Sequence, residues 1–280
     1  MEIIQNKKEF ITDAPLMDIH PKEWHDEMNM NNTTVHEYRN LQHFKSHVAT
    51  LTQKQDTKCG ISYAAALKEL LEGTATMSQG DYQIIKNRVK ENLLKRGLIS
   101  DTVYESYEYA VEGEIWDVAK VIAEDPMCCL VPTESYTNYF YELYISVSYH
   151  SGITNEEVTE NMAKILATVE LLEQEHYYCK ITLVFPDEGC NEGSGKPNYL
   201  ALIPLFSHKD TKTIETMSSV LNDRLLRKFF FAVLEDLYKN DLASGYGTPV
   251  ELSHAIVPVG LDEVELAKSI IDKVIVPGTR

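Results

Sequence analysis

His43 and His47, in the stretch HFKSH, stand four residues apart, a spacing that on a helix puts both imidazoles on one face within reach of a metal. Two histidines leave a zinc site half built, and the glutamate of a metalloprotease helix is missing, so a packing or surface role is expected. Cys128 and Cys129 follow Pro126 and sit among Met127, Leu130 and Val131, a setting that keeps thiols buried and inert. The run GCNEGSG from Gly189 to Gly195 has the glycines of a phosphate loop without its Lys-Ser/Thr end, and reads as a turn. Arg224, Arg227 and Lys228 form a basic cluster at the start of a helix. They are candidates for contact with an anionic group or a partner, although acids such as Glu235 lie close in sequence. No complete catalytic, nucleotide-binding or metal-binding motif occurs, which leans the reading away from an enzyme.

Elements able to position these residues differ along the chain. Residues 1 to about 60 are polar and read as a loosely packed lead-in, with a helix expected between Thr34 and Thr52. SYAAALKELLEG predicts a helix ending at Gly73, and DYQIIKNRVKENLLKRG a second one closed by Gly97. GEIWDVAKVIAEDPMCCLVP predicts a short helix stopped ahead of Pro126. A domain boundary is expected near Pro132, dividing a polar lead-in and helical subdomain (1–132) from a sheet domain (133–280).

Beyond that point the pattern becomes that of an α/β protein. YFYELYISVSY (139–149) predicts a strand. Thr154 and Glu157 have capping-box spacing ahead of a helix faced by Val158, Met162, Ile165, Leu166, Val169 and Leu172. CKITLVF (179–185) and YLALIPLF (199–206) predict two strands joined as a hairpin. A helix follows, with Asp223 as its expected cap; its FFF run (229–231) cannot turn all three rings onto one stripe. HAIVPV (254–259) predicts a last strand, and 263–274 a terminal helix. The expectation is a helical N-terminal part followed by an open, mostly parallel sheet flanked by helices.

This order resembles a von Willebrand factor A-like domain. In that family the first strand ends in Asp-x-Ser-x-Ser, whose oxygens hold a divalent cation. Here the stretch is ISVSYHS, with Ser146 in the place of the Asp, Ser148 in that of the first serine and His150 in that of the second. Asp262 follows HAIVPV two residues late for the family's Thr-Asp-Gly step. The resemblance therefore implies a degenerate metal site of Ser146, Ser148, His150 and Asp262. Lacking the anionic ligand, such a site holds Mg²⁺ poorly, and no cofactor is expected.

A second resemblance rests on EIWDVAKVIAEDPMC (114–128) and NDRLLRKFFFAVLED (222–236), which are similar to segments of an uncharacterised family of tailed-bacteriophage proteins. It implies a phage gene product acting in the infected bacterial cytoplasm, with no assigned activity. The sequence departs from it at Glu124-Asp125, where a glycine is expected before the acidic residue.

Charge narrows the partners. The net charge of −17 opposes approach to nucleic acid or an anionic membrane. Five cysteines without CxxC spacing argue against a disulfide framework, and no apolar run is long enough to span a bilayer, so a cytoplasmic setting is expected. Three readings remain. The leading one is a non-enzymatic interaction protein acting on a host or phage protein. The second is a metal-dependent binder or enzyme with a dispersed site at the C-terminal end of the sheet, and the third is an acidic DNA-mimic antagonist.

Overall fold

Thr154 opens the longest helix, its hydroxyl accepting from the Glu157 amide at 3.2 Å, and apolar side chains every three or four residues then carry the helix to Gln174. Around it the computed structural model describes Trp24 and residues 33–51, 62–72, 77–100, 107–112, 115–132, 138–148, 152–188, 199–214, 223–238 and 249–272. In chain order the elements are β1 (Thr34–Glu37), α1 (Leu41–Val48), α2 (Tyr63–Glu72), α3 (Gln79–Lys95), β2 (Tyr107–Ala110), β3 (Ile115–Trp116) and α4 (Val118–Ile122). They continue with β4 (Cys129–Pro132), β5 (Tyr139–Ser146), α5 (Asn155–Gln174), β6 (Tyr177–Asp187), β7 (Tyr199–Phe206), α6 (Asp223–Tyr238), β8 (Ala255–Ile256) and α7 (Glu263–Asp272).

The main sheet has the order β1-β7-β6-β5-β8. β5 pairs in parallel with β6 and β8, β1 pairs in parallel with β7, and the β6–β7 hairpin is the antiparallel step. The protein is thus mixed α/β, with a mostly parallel sheet flanked by helices.

Strand alternation divides the side chains between two faces. Leu143 and Ile145 of β5, Ile181, Leu183 and Phe185 of β6, and Ala201 and Ile203 of β7 join the large core with α1, α2, α3, α5, α6 and α7. The opposite face carries Tyr144, Val184, Leu200 and Leu202, against which Trp24 and Leu252 are buried. Trp24 meets Tyr144 edge-on at 4.9 Å and donates its indole N–H to the Ser253 carbonyl.

α6 lies inside the core, which resolves the FFF problem. Phe230 stacks flat on Phe185 of the sheet at 4.1 Å while also touching Phe44 of α1. Phe229 turns instead toward Tyr63 of α2 at 5.5 Å, and Phe231 is buried as well. A helix with partners on several sides can bury more than one stripe.

Two expectations change as a result. The polar lead-in holds a strand and the expected helix, and Tyr38 between them is fully buried with Phe44 and Val48 of the helix. The boundary near Pro132 does not separate two cores, because β1 joins the main sheet and α1–α3 share its hydrophobic interior. Of the expected strand 254–259 only Ala255 and Ile256 pair. His254 is held at a φ of 65°, and Pro258 has no N–H to give.

Candidate functional site

Residues 107–132 form a separate three-stranded sheet of order β2-β4-β3. Short alternating runs make it: Tyr107 to Ala110 pair antiparallel with Cys129 to Pro132, and Ile115 and Trp116 pair with Leu130 and Cys129. Asp117 then starts α4, its Oδ1 accepting from the amides of Ala119 and Lys120. The helix lasts one turn and ends at Glu124, whose φ of 55° is the left-handed conformation usual after a helix and comfortable for glycine. That conformation is the physical reason to expect a glycine before Asp125.

This small sheet buries almost nothing of its own. Cys129 is its one buried side chain among the described residues. Of the ten large hydrophobic side chains left exposed in the described protein, eight belong to it: Tyr109, Val111, Ile115, Trp116, Val118, Val121, Ile122 and Met127. Ile122 is 78% exposed, Val118 68% and Trp116 58%. A contiguous stretch of such residues is uncommon on a soluble surface unless something covers it.

A polar network borders these side chains. Tyr109 donates its hydroxyl to Asp117 at 2.8 Å, and Lys120 lies 3.3 Å over the Tyr109 ring and 3.4 Å from the Asp125 carboxylate. The Tyr109 hydrogen bond, with the Lys120 amide next, holds the Asp117 carboxyl below its ordinary range. The Met127 amide does the same, first among several causes, for Asp125. Both therefore stay ionised at neutral pH. Among the described side chains Glu112, Asp117, Glu124 and Asp125 stand against the single Lys120, so the apolar surface has an anionic rim.

The residues singled out by sequence fall elsewhere. Ser146 and Ser148 come together at the end of β5 and satisfy each other: the Ser146 hydroxyl donates to the Ser148 carbonyl at 3.3 Å and faces the Ser148 amide at 3.4 Å. Asp262 caps α7, accepting from Val264 and Glu265. His150 lies outside the described residues. Among the described residues no group of three or more His, Cys, Asp or Glu is arranged to share a metal ion.

Arg224 and Arg227 stand on α6 with side chains outside the described set, whereas Lys228 is fully buried and offers no surface contact. This corrects the expectation of Lys228 as a contact residue: α6 is packed on several sides, and its residues 228–235 are all buried. The loop from Gly189 to Gly195 also lies outside the described residues. His43 and His47 are taken up locally, His43 Nδ1 accepting from the Arg39 amide and His47 Nδ1 bonded to the Tyr38 hydroxyl at 2.8 Å. Cys129 is buried as expected, while Cys128 is half-buried. The apolar surface itself was visible in sequence only as the run Trp116, Val118, Val121, Ile122, which reads equally well as a core-facing helix.

Fold and surface together define a class: a mixed α/β protein whose helix-flanked sheet carries a small appended sheet with an exposed apolar face. The chain belongs to the family described as Domain of unknown function (DUF7192), whose model matches residues 14–275. No curated protein and no solved structure matches it. No helix among the described residues is long and apolar enough to cross a membrane.

Proposed function

We propose that this is a non-enzymatic interaction protein that docks a basic, apolar-faced protein partner on the surface of residues 107–132. The observation that carries the reading is the concentration of exposed large hydrophobic side chains in that one small sheet. Charge complementarity selects the partner: an anionic rim favours a basic surface, whereas a second copy of this chain would bring two acidic rims together. The similarity of residues 114–128 to tailed-phage proteins supports a phage gene product acting on a host or phage protein in the bacterial cytoplasm. The strand order β7-β6-β5-β8, with its antiparallel β6–β7 step, supports a von Willebrand factor A-like main sheet.

The alternatives draw less support. A metal-dependent site at Ser146 would need oxygens that are already turned on Ser148, and Asp262 is engaged as a helix cap. A DNA mimic would not need the apolar face.

A photo-crosslinking residue at Ile122 of the full chain, expressed in its native cell, tests the proposal, with one at Ile84 as control because that side chain is 70% exposed but lies away from the surface. The expected result is one basic protein captured from position 122 and not from 84. Purified, it should form a stoichiometric complex that weakens with salt and is lost in Ile122→Asp. Capture of only a second copy, or a purified pair that does not associate, would overturn the reading.

A further inference from the structure

We propose that the partner docks by adding an extended strand of alternating basic and apolar residues to the free edge of β2. The inference rests on the docking reading above and names the shape of the occupant.

Register fixes which backbone groups face that edge. In an antiparallel pair, opposed residues alternate between two kinds: those that exchange both backbone hydrogen bonds, and those whose N–H and C=O point away from each other. The Asp117 amide donates to the Cys128 carbonyl at 2.9 Å, so Trp116 and Cys129, one step along, are a pair of the second kind. Cys129 therefore turns its N–H and C=O toward β2, where it opposes Ala110. Alternation then makes Tyr109–Leu130 and Tyr107–Pro132 pairs of the outward kind. Pro132 agrees with this, since a residue without an N–H breaks no rung there. The N–H and C=O of Tyr107 and Tyr109 thus point away from β4, and β4 is the one strand that pairs with β2 among the described residues.

Edge strands are commonly protected by a lysine, a proline or a bulge. Tyr107–Ala110 reads YEYA and its register runs without a shift, so it has none of these. β3 offers a poorer edge, because it is two residues long and Asp117 caps a helix directly after it. An incoming strand gains backbone hydrogen bonds from such an edge, and its alternate side chains set the specificity.

The faces of β2 choose those side chains. Tyr109 is 40% exposed on the side where two carboxylates, Asp117 and Asp125, gather around the single Lys120. A basic residue opposite Tyr109 meets that excess of negative charge. Ala110 points to the other face and is small and half-buried, so the partner's next residue covers apolar surface. Basic and apolar residues then follow each other with the period of a strand.

Calorimetric titration of the full chain with an acetylated, amidated peptide of three Arg-Val repeats tests the proposal. Two further peptides carry N-methyl groups on the arginine amides alone or on the valine amides alone, which keeps charge and apolarity while removing backbone donors. The expected result is saturable binding of the parent peptide below about 1 mM, weakened about tenfold or more by one methylation pattern and spared by the other. Loss with the arginine pattern means antiparallel addition, and loss with the valine pattern means parallel addition. In the protein, Tyr109→Pro should bind at least about tenfold more weakly than Tyr109→Val, which loses the same ring but keeps the N–H. Should Tyr109→Pro fail to fold, the methylated peptides decide, since they leave the protein unchanged. No saturation by the parent peptide, both methylation patterns acting alike, or equal binding by the two variants would each overturn strand addition. Capture from position 122 is read separately, so a partner caught there after such a result would leave the docking surface standing with side-chain contacts alone.

Discussion

The main sheet and the small β2-β4-β3 sheet are built from the same kinds of side chain and use them in opposite ways. In the main sheet, Phe185 is covered by Phe230 and Phe230 in turn by Phe44, three layers deep. In the small sheet, Trp116 and Ile115 stand about half exposed on a strand of two residues, and none of the residues of α4 is buried. Burial per residue is what stabilises a sheet, so the first must tolerate loss of side chains badly and the second almost indifferently. The difference separates apolar side chains committed to packing from those left available for contact.

The largest break in that comparison should come from Phe230→Ala. Removing a ring packed on both sides should cost about 4 kcal/mol, read as a lower urea midpoint, whereas a small shift would mean the core is far less tightly packed than the stacking implies.

Acid should act next, and again on the main body. His36 of β1 is buried, bonded through Nδ1 to the Tyr199 hydroxyl at 3.0 Å, and its Nε2 has no partner. Desolvation first and His47 second lower its pKa from 6.5 to about 4, while Asp236 opposes them. Because the folded value lies below the unfolded one, the unfolded chain takes up the proton first. The stability contribution is therefore complete above pH 6.5 and is lost as pH falls toward 4, by about 3 kcal/mol in all. Chemical denaturation across that range should show the loss, and His36→Gln should flatten it; an unchanged slope would remove His36 as its source.

Glu124→Gly probes the small sheet in the other direction. Relieving the left-handed backbone should stabilise it by about 1 kcal/mol, visible as slower amide exchange at Val121 and Ala123. The smallest effect should be that of Ile122→Ser, whose stability should stay within about 0.5 kcal/mol of the parent in urea while partner binding falls. A larger destabilisation would show that the exposed face is structural.

Much of the main body was legible because its signals are local and mutually consistent. The span Tyr199–Phe206 is the expected strand without adjustment, and Thr154 caps the expected helix through the expected atom. β1 was not legible: TVHE alternates weakly, and its strand character comes from pairing with β7, some 165 residues away in sequence. Trp24, a lone aromatic among polar residues, gave no hint that it seals the second face of the sheet. β2 and β4 are four residues each, too short for a period to register.

What the sequence by itself determined is the alternation of apolar strands and amphipathic helices from Tyr139 onward, and the excess of acidic charge. Periodicity and composition are properties of neighbouring residues and need no fold to be read. Tertiary structure alone decided which apolar stripes found partners. VAKVI and FFFAVL look alike as strings, yet one is exposed on a one-turn helix and the other is enclosed between a sheet and two helices, because burial depends on what long-range chain topology brings opposite a side chain.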